Sequence, residues 1–350
     1  MRGARWVTSA QGCPARFYRQ LADDLVLCEL CPQGCQIAPG RVGICGVREN
    51  RQGRLWSRNY GTYAAEAVDP VEKKPLYHFF PGCSIYSFGA GGCNLACRFC
   101  QNWELSQNAL PARALSPAEM VARVLAWQKH DPDCIGIAYT YSEPLVWFEH
   151  VYETAALAKE RGLQNVLVSN GYINLQPWRE LLPLLSAVNI DVKSFREDYY
   201  RRLCGGRLAP VLRAVEEAYQ AGCHVEVTTL VVPGENDSPR EAEQLASWLA
   251  GLDAGIPLHV SRYFPKHKAI SPPTALDVLR IWQVAAAKHL HYVYLGNVAV
   301  AGAADTICPQ CGAVVIRRGL TGVCSEGWQD GHCRSCGRRI QIVQEACLDE

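Results

Sequence analysis

Between about residues 83 and 297, short runs of β-branched and aromatic residues alternate with amphipathic stretches of helical periodicity. Strands that alternate with helices are typical of a parallel sheet built from βα units. The predicted strands span residues 84–88, 135–140, 165–170, 187–193, 224–232 and 257–263, with a seventh possible at 292–297. The pattern therefore predicts an α/β fold, a partial (β/α)6 barrel of the TIM type.

The two flanks of this region lack such periodicity. Residues 28–60 are rich in Gly and Cys, and residues 303–345 contain two Cys pairs. Segments this short cannot bury a core unaided, so we expect bound metal to stabilise them. We predict three parts: a Cys-rich metal-binding segment over 1–62, the barrel over 63–302 and a zinc-ribbon or rubredoxin-like module over 303–350.

Composition narrows the function classes. The 350 residues are 49% hydrophobic, enough for one large core, and 35 Lys plus Arg against 34 Asp plus Glu give a net charge of +1. Near-neutral charge argues against nucleic acid and anionic membrane as partners. The sequence has neither a run of about 20 apolar residues nor the apolar start of a signal peptide, so we expect a cytoplasmic protein.

The 18 cysteines are mostly grouped, which in a reducing compartment indicates metal binding rather than disulfides. The central group, in GAGGCNLACRFCQNW, follows the first predicted strand and consists of Cys93, Cys97 and Cys100. A cubane cluster has four irons, so three thiolates leave one iron open to an outside ligand. A structural zinc or a buried-thiol loop is the alternative, but active sites of βα barrels lie at this end of the strands, which favours the cluster.

Other polar residues follow the later strands. They are Ser142 and Glu143 in YTYSEP, Asn170 in SNG, Asp191 and Lys193 in DVK, and His259 on the sixth strand. Each motif taken by itself is more often a turn or a strand-end charge than a ligand. Their shared placement at the same edge of the sheet predicts a common site.

The outer cysteine groups have different spacings. Cys308, Cys311, Cys333 and Cys336 form two Cys-x-x-Cys-Gly knuckles, a pattern that predicts zinc. Cys28, Cys31, Cys35 and Cys45 also supply four thiolates, but their spacing fits zinc and a second iron-sulfur cluster about equally. Cys204 is isolated in RLCGG, either a packed thiol or a substrate-side thiol.

The central loop resembles the signature of the radical S-adenosylmethionine (SAM) superfamily. With CxxCPxxC, EKKPLYHFFPG, HVSRYFP, YVYLGN and the closing ribbon, nearly the whole chain resembles the AmmeMemoRadiSam system radical SAM enzymes, relatives of pyruvate formate-lyase activating enzymes. The resemblance implies a 4Fe-4S cluster on the central cysteines and SAM as cofactor. It further implies that Ser142 and Glu143 receive the methionine amino group, and that Asn170, Asp191, Lys193 and His259 contact the carboxylate, ribose or adenosine.

The same resemblance implies an oxidoreductase-like enzyme that cleaves SAM to a 5′-deoxyadenosyl radical, which abstracts hydrogen from a small molecule or a protein side chain. A flavodoxin- or ferredoxin-type reductant and a Memo-like partner protein are the implied partners. A glycyl-radical-enzyme activase is the main alternative. The non-enzymatic alternative is a metal-stapled scaffold or a zinc-ribbon binding protein. This alternative leaves the three-Cys loop unexplained.

Overall fold

The computed structural model describes residues 12–108, 111–268, 270–319 and 322–344. The N-terminal strands are β1 Cys13–Pro14, β2 Tyr18–Gln20, β3 Val26–Cys28, β4 Gln36–Ile37, β5 Arg48–Arg51, β6 Arg54–Ser57 and β7 Thr62–Tyr63. The central strands are β8 Ala65–Pro70, β9 Ser84–Gly89, β10 Arg113–Ala114, β11 Cys134–Tyr139, β12 Gln164–Ser169, β13 Ala187–Asp191, β14 His224–Val231, β15 Leu258–Arg262 and β16 Val293–Gly296. The C-terminal strands are β17 Thr306–Ile307, β18 Val314–Gly319, β19 Gly322–Cys324, β20 Trp328–Gln329 and β21 His332–Cys333.

The α-helices alternate with the central strands. They are α1 Trp103–Gln107, α2 Pro117–Gln128, α3 Phe148–Glu160, α4 Leu175–Leu181, α5 Glu197–Tyr199, α6 Leu208–Gln220, α7 Pro239–Asp253 and α8 Leu276–Ala286. Short 3-10 turns cover Val71–Lys73, Pro144–Trp147 and Leu182–Leu184, and a π turn covers Tyr200–Cys204. Helix α2 begins with a capping box, in which the Ser116 hydroxyl accepts from the Glu119 amide and the Glu119 carboxylate accepts from the Ser116 amide.

The main sheet has eight strands in the order β16-β15-β14-β13-β12-β11-β9-β8. Strands β9 and β11 to β16 pair in parallel, which confirms the predicted α/β fold and includes the seventh strand that the sequence left as possible. Strand β8 pairs antiparallel with β9 at the sheet edge. Strand β8 is not predicted from the sequence, because AEAVDP is half-buried and lacks a clear apolar alternation.

The core lies on both faces of this sheet. Val188 and Ile190 on β13, and Val227 on β14, are fully buried. Burial on both faces is why these strands read as nearly continuous apolar runs. In the described ranges, none of the helices combines the length and the apolar content that crossing a bilayer would take.

The flanking cysteine-rich segments form small antiparallel sheets, β1-β6-β5 and β2-β3-β4 before the main sheet and β17-β18-β19 after it. On the N-terminal side, the Asn174 side chain donates to the Glu29 carbonyl at 2.6 Å. On the C-terminal side, the Arg318 guanidinium lies over the ring of Tyr77, 4.4 Å from its centre. Both flanks therefore contact the barrel, while the boundaries at residues 62 and 303 stay predictions.

Glu226, in the first half of β14, is a fully buried carboxylate that joins the segment before β9 to the sheet. It accepts hydrogen bonds from the backbone amides of Tyr77 and His78 at 2.7 to 2.9 Å. The ring nitrogens of His224 and His259 lie 3.0 and 2.5 Å from its oxygens. Burial raises the pKa of Glu226, but the hydrogen bonds and charges of the two His rings outweigh it, so the pKa lies well below the usual value.

Replacement of this carboxylate tests its structural role. We expect Glu226→Ala to lower the free energy of unfolding by about 3–5 kcal/mol, because it leaves two buried amides and two rings without an acceptor. Urea unfolding of the metal-loaded protein, followed by circular dichroism, measures the loss. The matched control is Glu243→Ala, which breaks an ion pair with Lys288 at the surface. Equal effects of the two substitutions would rule out the proposed tie.

Candidate active site

One cavity of about 250 Å³ opens at the carboxyl ends of the barrel strands. Among its lining residues are Cys93, Cys97, Cys100, Ser142, Glu143, Asn170, Asp191 and Lys193. The structure thus brings together the central cysteines and all the predicted strand-end residues except His259. His259 does not line this cavity, and its ring nitrogen is engaged with Glu226.

The cysteine loop follows β9 and turns at Gly92. The φ of Gly92 is +108°, and a Cβ atom there would lie 2.9 Å from the Cys45 carbonyl oxygen. Only glycine accepts both this backbone conformation and this approach without strain. The loop therefore packs its backbone directly against the N-terminal cysteine segment.

Each of the three central thiols has a hydrogen-bond donor. The Leu95 amide lies 3.4 Å from the Cys93 sulfur. The Ser106 hydroxyl lies 3.3 Å from the Cys100 sulfur. The fully buried Cys204 thiol hydrogen-bonds to Cys97 and lowers the pKa of Cys97. Burial raises the pKa of Cys93 and Cys100, and the hydrogen bonds from Leu95 and Ser106 offset part of that rise, in the direction that metal binding requires.

The spacing of the central sulfurs fits a cluster better than a single ion. The sulfurs of Cys93, Cys97 and Cys100 do not all lie within 4.8 Å of one another. Sulfurs that bind one ion crowd around it, whereas sulfurs that bind separate irons of a cubane stand farther apart. The three residues therefore fit a cluster held by three thiolates at the wall of the cavity.

Glu143 is a buried acid held in a fixed orientation. Its carboxylate accepts from the Leu145 amide at 3.0 Å, the Ser169 hydroxyl at 2.7 Å and the Asn170 amide at 2.8 Å. Burial raises the pKa of Glu143 to about 7, although these three hydrogen bonds pull it down. The side chain is 2% exposed yet lines the cavity, so it can meet a cationic group there.

Asn170 joins Glu143 to the cysteine loop. Its side-chain amide donates to the Asn94 side-chain oxygen at 2.9 Å and lies 3.6 Å from the Cys93 sulfur. The next residue, Gly171, has a φ of +65°, and a Cβ there would lie 2.8 Å from the Ile190 side chain. The SNG turn therefore needs glycine at this position.

Asp191 and Lys193 form an ion pair across the mouth, with a 3.0 Å distance between Lys193 Nζ and the Asp191 carboxylate. Burial lowers the pKa of Lys193, but the charges of Asp191, Cys97 and Cys204 raise it well above the ordinary value. Lys193 is therefore charged, and it supplies a cation in the cavity.

Sequence reasoning missed several lining residues. Ser106, Thr228 and Ser261 are short polar residues on α1 or on later strands, and nothing in their local sequence marks them. Thr228 and Ser261 lie within predicted strands, so the rule that barrel sites lie at strand ends could have identified them. Cys204 contacts Cys97 from the π turn after β13, a position that depends on tertiary packing.

The C-terminal cysteines form a compact group. Cys308, Cys311, Cys333 and Cys336 have sulfurs that all lie within 4.8 Å of one another. The Cys308–Cys336 and Cys311–Cys333 sulfur distances are 3.6 and 3.7 Å. A tetrahedral ion with Zn–S bonds of about 2.3 Å places its sulfurs about 3.8 Å apart. This group can therefore bind one metal ion.

The N-terminal cysteines line a second, smaller cavity. Cys28, Cys31, Cys35 and Cys45 surround it together with Arg48 and Asn94. The structure places all four around one cavity, with their sulfurs more widely spaced than in the C-terminal group.

Comparisons with known proteins agree with this geometry. The family model of the radical SAM superfamily matches residues 89–246. An uncharacterized protein of Methanocaldococcus jannaschii, MJ0808, is 38% identical over 337 residues, which cover 94% of this chain and 99% of that protein. The pyruvate formate-lyase-activating enzyme of Staphylococcus aureus is 26% identical over 172 residues, 46% of this chain and 67% of that enzyme.

Among solved structures, Streptococcus suis SuiB bound to the precursor peptide SuiA superposes with a TM-score of 0.51 and 14% identity over 65% of this chain. The match covers 52% of SuiB, about half its length, and shows the shared fold. The family match spans the cysteine loop and most of the residues that line its cavity, and the MJ0808 match extends over nearly the whole chain. Residues 89–246 of this chain form a domain of the radical SAM superfamily, whose members are enzymes that use a 4Fe-4S cluster and SAM.

Proposed function

We propose that this protein reductively cleaves SAM at a 4Fe-4S cluster held by Cys93, Cys97 and Cys100, and abstracts hydrogen from a substrate that enters the same cavity. One observation carries the proposal: three spaced thiols share a cavity with polar residues from successive strand ends. When bound, the cluster and SAM would supply a one-electron cleavage that yields methionine and a 5′-deoxyadenosyl radical. The residues of the chain then bind, orient and shield the reactants.

Glu143 and Ser142 are the proposed binding site for the methionine ammonium. The fixed carboxylate of Glu143 offers a charge-assisted hydrogen bond to an ammonium group in the cavity. The Ser142 hydroxyl donates to the Ala90 carbonyl and holds the YSEP loop against the end of β9. Asn170, already bonded beside Cys93, is placed to orient the cofactor carboxylate or ribose.

Lys193 and Asp191 provide the complementary charges. The Lys193 ammonium can neutralise a carboxylate of cofactor or substrate, and Asp191 sets its position. His259 was expected to join this set. Its burial beside Glu226 supports a positioning role at the base of the barrel instead.

The C-terminal group is proposed to bind structural zinc. Its 3.6 and 3.7 Å sulfur pairs match tetrahedral zinc, which needs no redox change to stabilise a short segment. The network around Arg318 and Tyr77 then fixes this module to the barrel.

The proposed substrate is either a small molecule or a protein side chain. The match to pyruvate formate-lyase-activating enzyme supports activation of a partner protein as the second candidate. In this chain the N-terminal cysteine group lies before β5 and the C-terminal group lies after β16, so neither of them directly follows β9. A flavodoxin- or ferredoxin-type protein is the proposed reductant, and the finer assignment to the AmmeMemoRadiSam system would add a Memo-like partner.

Loss of one central ligand tests the chemistry. We expect the anaerobically reconstituted wild type, given SAM and dithionite, to form 5′-deoxyadenosine, and Cys97→Ala to lose at least about 100-fold of this rate, because cleavage requires the site-differentiated cluster. Chromatography of the products measures the yield. The control for cysteine loss in general is Cys223→Ala, which removes a buried thiol directly before the first residue of β14. Equal yields from wild type and Cys97→Ala would refute the assignment.

The charge of Glu143 should govern cofactor binding. We expect Glu143→Gln to weaken SAM binding about 10- to 100-fold at pH 8, because a charge-assisted hydrogen bond is lost. Since the pKa of Glu143 is raised to about 7, its ionised fraction and the SAM affinity should fall about tenfold from pH 8 to pH 6 in the wild type. Equilibrium binding to the reconstituted protein checks both, and Glu143→Gln should lose the pH dependence. A pH-independent wild type would contradict the role.

Cys204 should tune the cluster through its hydrogen bond to Cys97. Donors to cluster sulfurs stabilise the more negative reduced state, so we expect Cys204→Ala to shift the midpoint potential downward, on the order of tens of millivolts. Cys204→Ser retains a donor and should shift it less. Redox titration followed by electron paramagnetic resonance (EPR) provides the measurement, and an unchanged potential in Cys204→Ala would exclude this role.

A further inference from the structure

The three cysteine groups differ in how their sulfurs are arranged. In the C-terminal group the sulfurs lie within 4.8 Å of one another. Among the described residues, neither the central nor the N-terminal group meets that criterion. Sulfurs so spread fit separate irons of a cluster rather than one shared ion.

The cavity between these four thiols also presents an unused hydrogen-bond donor. Arg48 is 1% exposed, and its two terminal nitrogens donate to Glu149 at 2.8 and 2.9 Å. Its Nε atom is buried and has no acceptor among the described residues. Because Arg48 lines this cavity, a thiolate or sulfide of a bound cluster can supply the missing acceptor.

Backbone amides are already directed at the N-terminal sulfurs. Burial raises the pKa of Cys28, Cys31 and Cys45, and the backbone amide two positions after each of them, that of Leu30, Gln33 or Val47, offsets part of the rise. The Leu95 amide bonds to the Cys93 sulfur with the same spacing. The N-terminal loops therefore share the local sulfur geometry of the central cluster loop.

The N-terminal and central groups touch through their backbones. The Cys45 carbonyl oxygen lies 2.9 Å from the position of a Gly92 Cβ, one residue before Cys93. Gln33 lies between Cys31 and Cys35. Its side chain donates to the carbonyl of Asn94, the residue after Cys93, at 2.8 Å. Two short routes therefore connect the N-terminal thiols to the first ligand of the central cluster.

We propose that Cys28, Cys31, Cys35 and Cys45 hold a second 4Fe-4S cluster, which passes electrons to the central one. A low-potential protein donor of the flavodoxin or ferredoxin class gives one electron and is itself oxidised by one. The N-terminal cluster is reduced from the 2+ to the 1+ state and returns to 2+ when the electron moves to the central cluster. The electron path rests on the proposed function, whereas the presence of the cluster does not.

Metal analysis of the full chain after anaerobic reconstitution decides the cluster. We expect about eight irons and one zinc in the wild type, since each cubane holds four irons. A Cys93→Ala/Cys97→Ala/Cys100→Ala variant should keep about four irons with a cubane Mössbauer spectrum. The matched Cys28→Ala/Cys35→Ala variant should lose the N-terminal iron and keep the central cluster. About four irons with two zincs in the wild type would overturn the proposal.

Retention of the C-terminal zinc and cooperative thermal unfolding verify that each variant is folded. If the triple variant fails this check, the wild-type iron and zinc counts decide the question unaided. Inability to cleave SAM would refute the proposed function while leaving the iron count unchanged, so the two failures are distinguishable.

EPR of the dithionite-reduced protein tests the electron path. Two adjacent paramagnetic clusters should interact, so we expect the wild-type signal to be broader and faster-relaxing than the sum of the two single-cluster variants. A wild-type spectrum equal to that sum would overturn the electron path.

Discussion

The parallel pairing of β9 and β11 to β16 is the constraint on which the site depends. Because every such strand ends at the same edge, residues far apart in the chain meet there without long connecting loops. Cys93, Glu143, Asn170 and Lys193 follow four successive strands and line one cavity. The in-register sheet, held by apolar residues on both faces, gives these side chains their fixed separations.

Several buried charged groups in the described ranges are held by hydrogen-bond or ion-pair partners. Glu143 accepts three hydrogen bonds at the mouth, and Glu226 is surrounded by amides and rings at the base. Arg48 and Glu149 neutralise each other beneath the N-terminal cysteines. Because a buried charge without partners is costly, these networks restrict the barrel and its N-terminal flank to one arrangement.

Sulfur arrangement distinguishes cysteine groups that are similar in sequence. The N-terminal and C-terminal groups each offer four thiols, and spacing along the chain left the N-terminal metal open. In three dimensions, the C-terminal sulfurs converge on one point, whereas the N-terminal ones surround a cavity beside the central loop. Chain spacing limits which thiols can meet, but the backbone path between them decides how closely they meet.

The sequence by itself determined the positions of the parallel strands along the chain, the cysteine loop and the strand-end residues, because periodicity and turn chemistry are local properties of the chain. Only the tertiary structure decided that Cys204 bonds to Cys97, that His259 is bonded to Glu226 away from the cavity, and that Cys45 contacts Gly92. Each of these contacts joins segments distant in sequence. Side-chain packing, which no local pattern encodes, sets their distances.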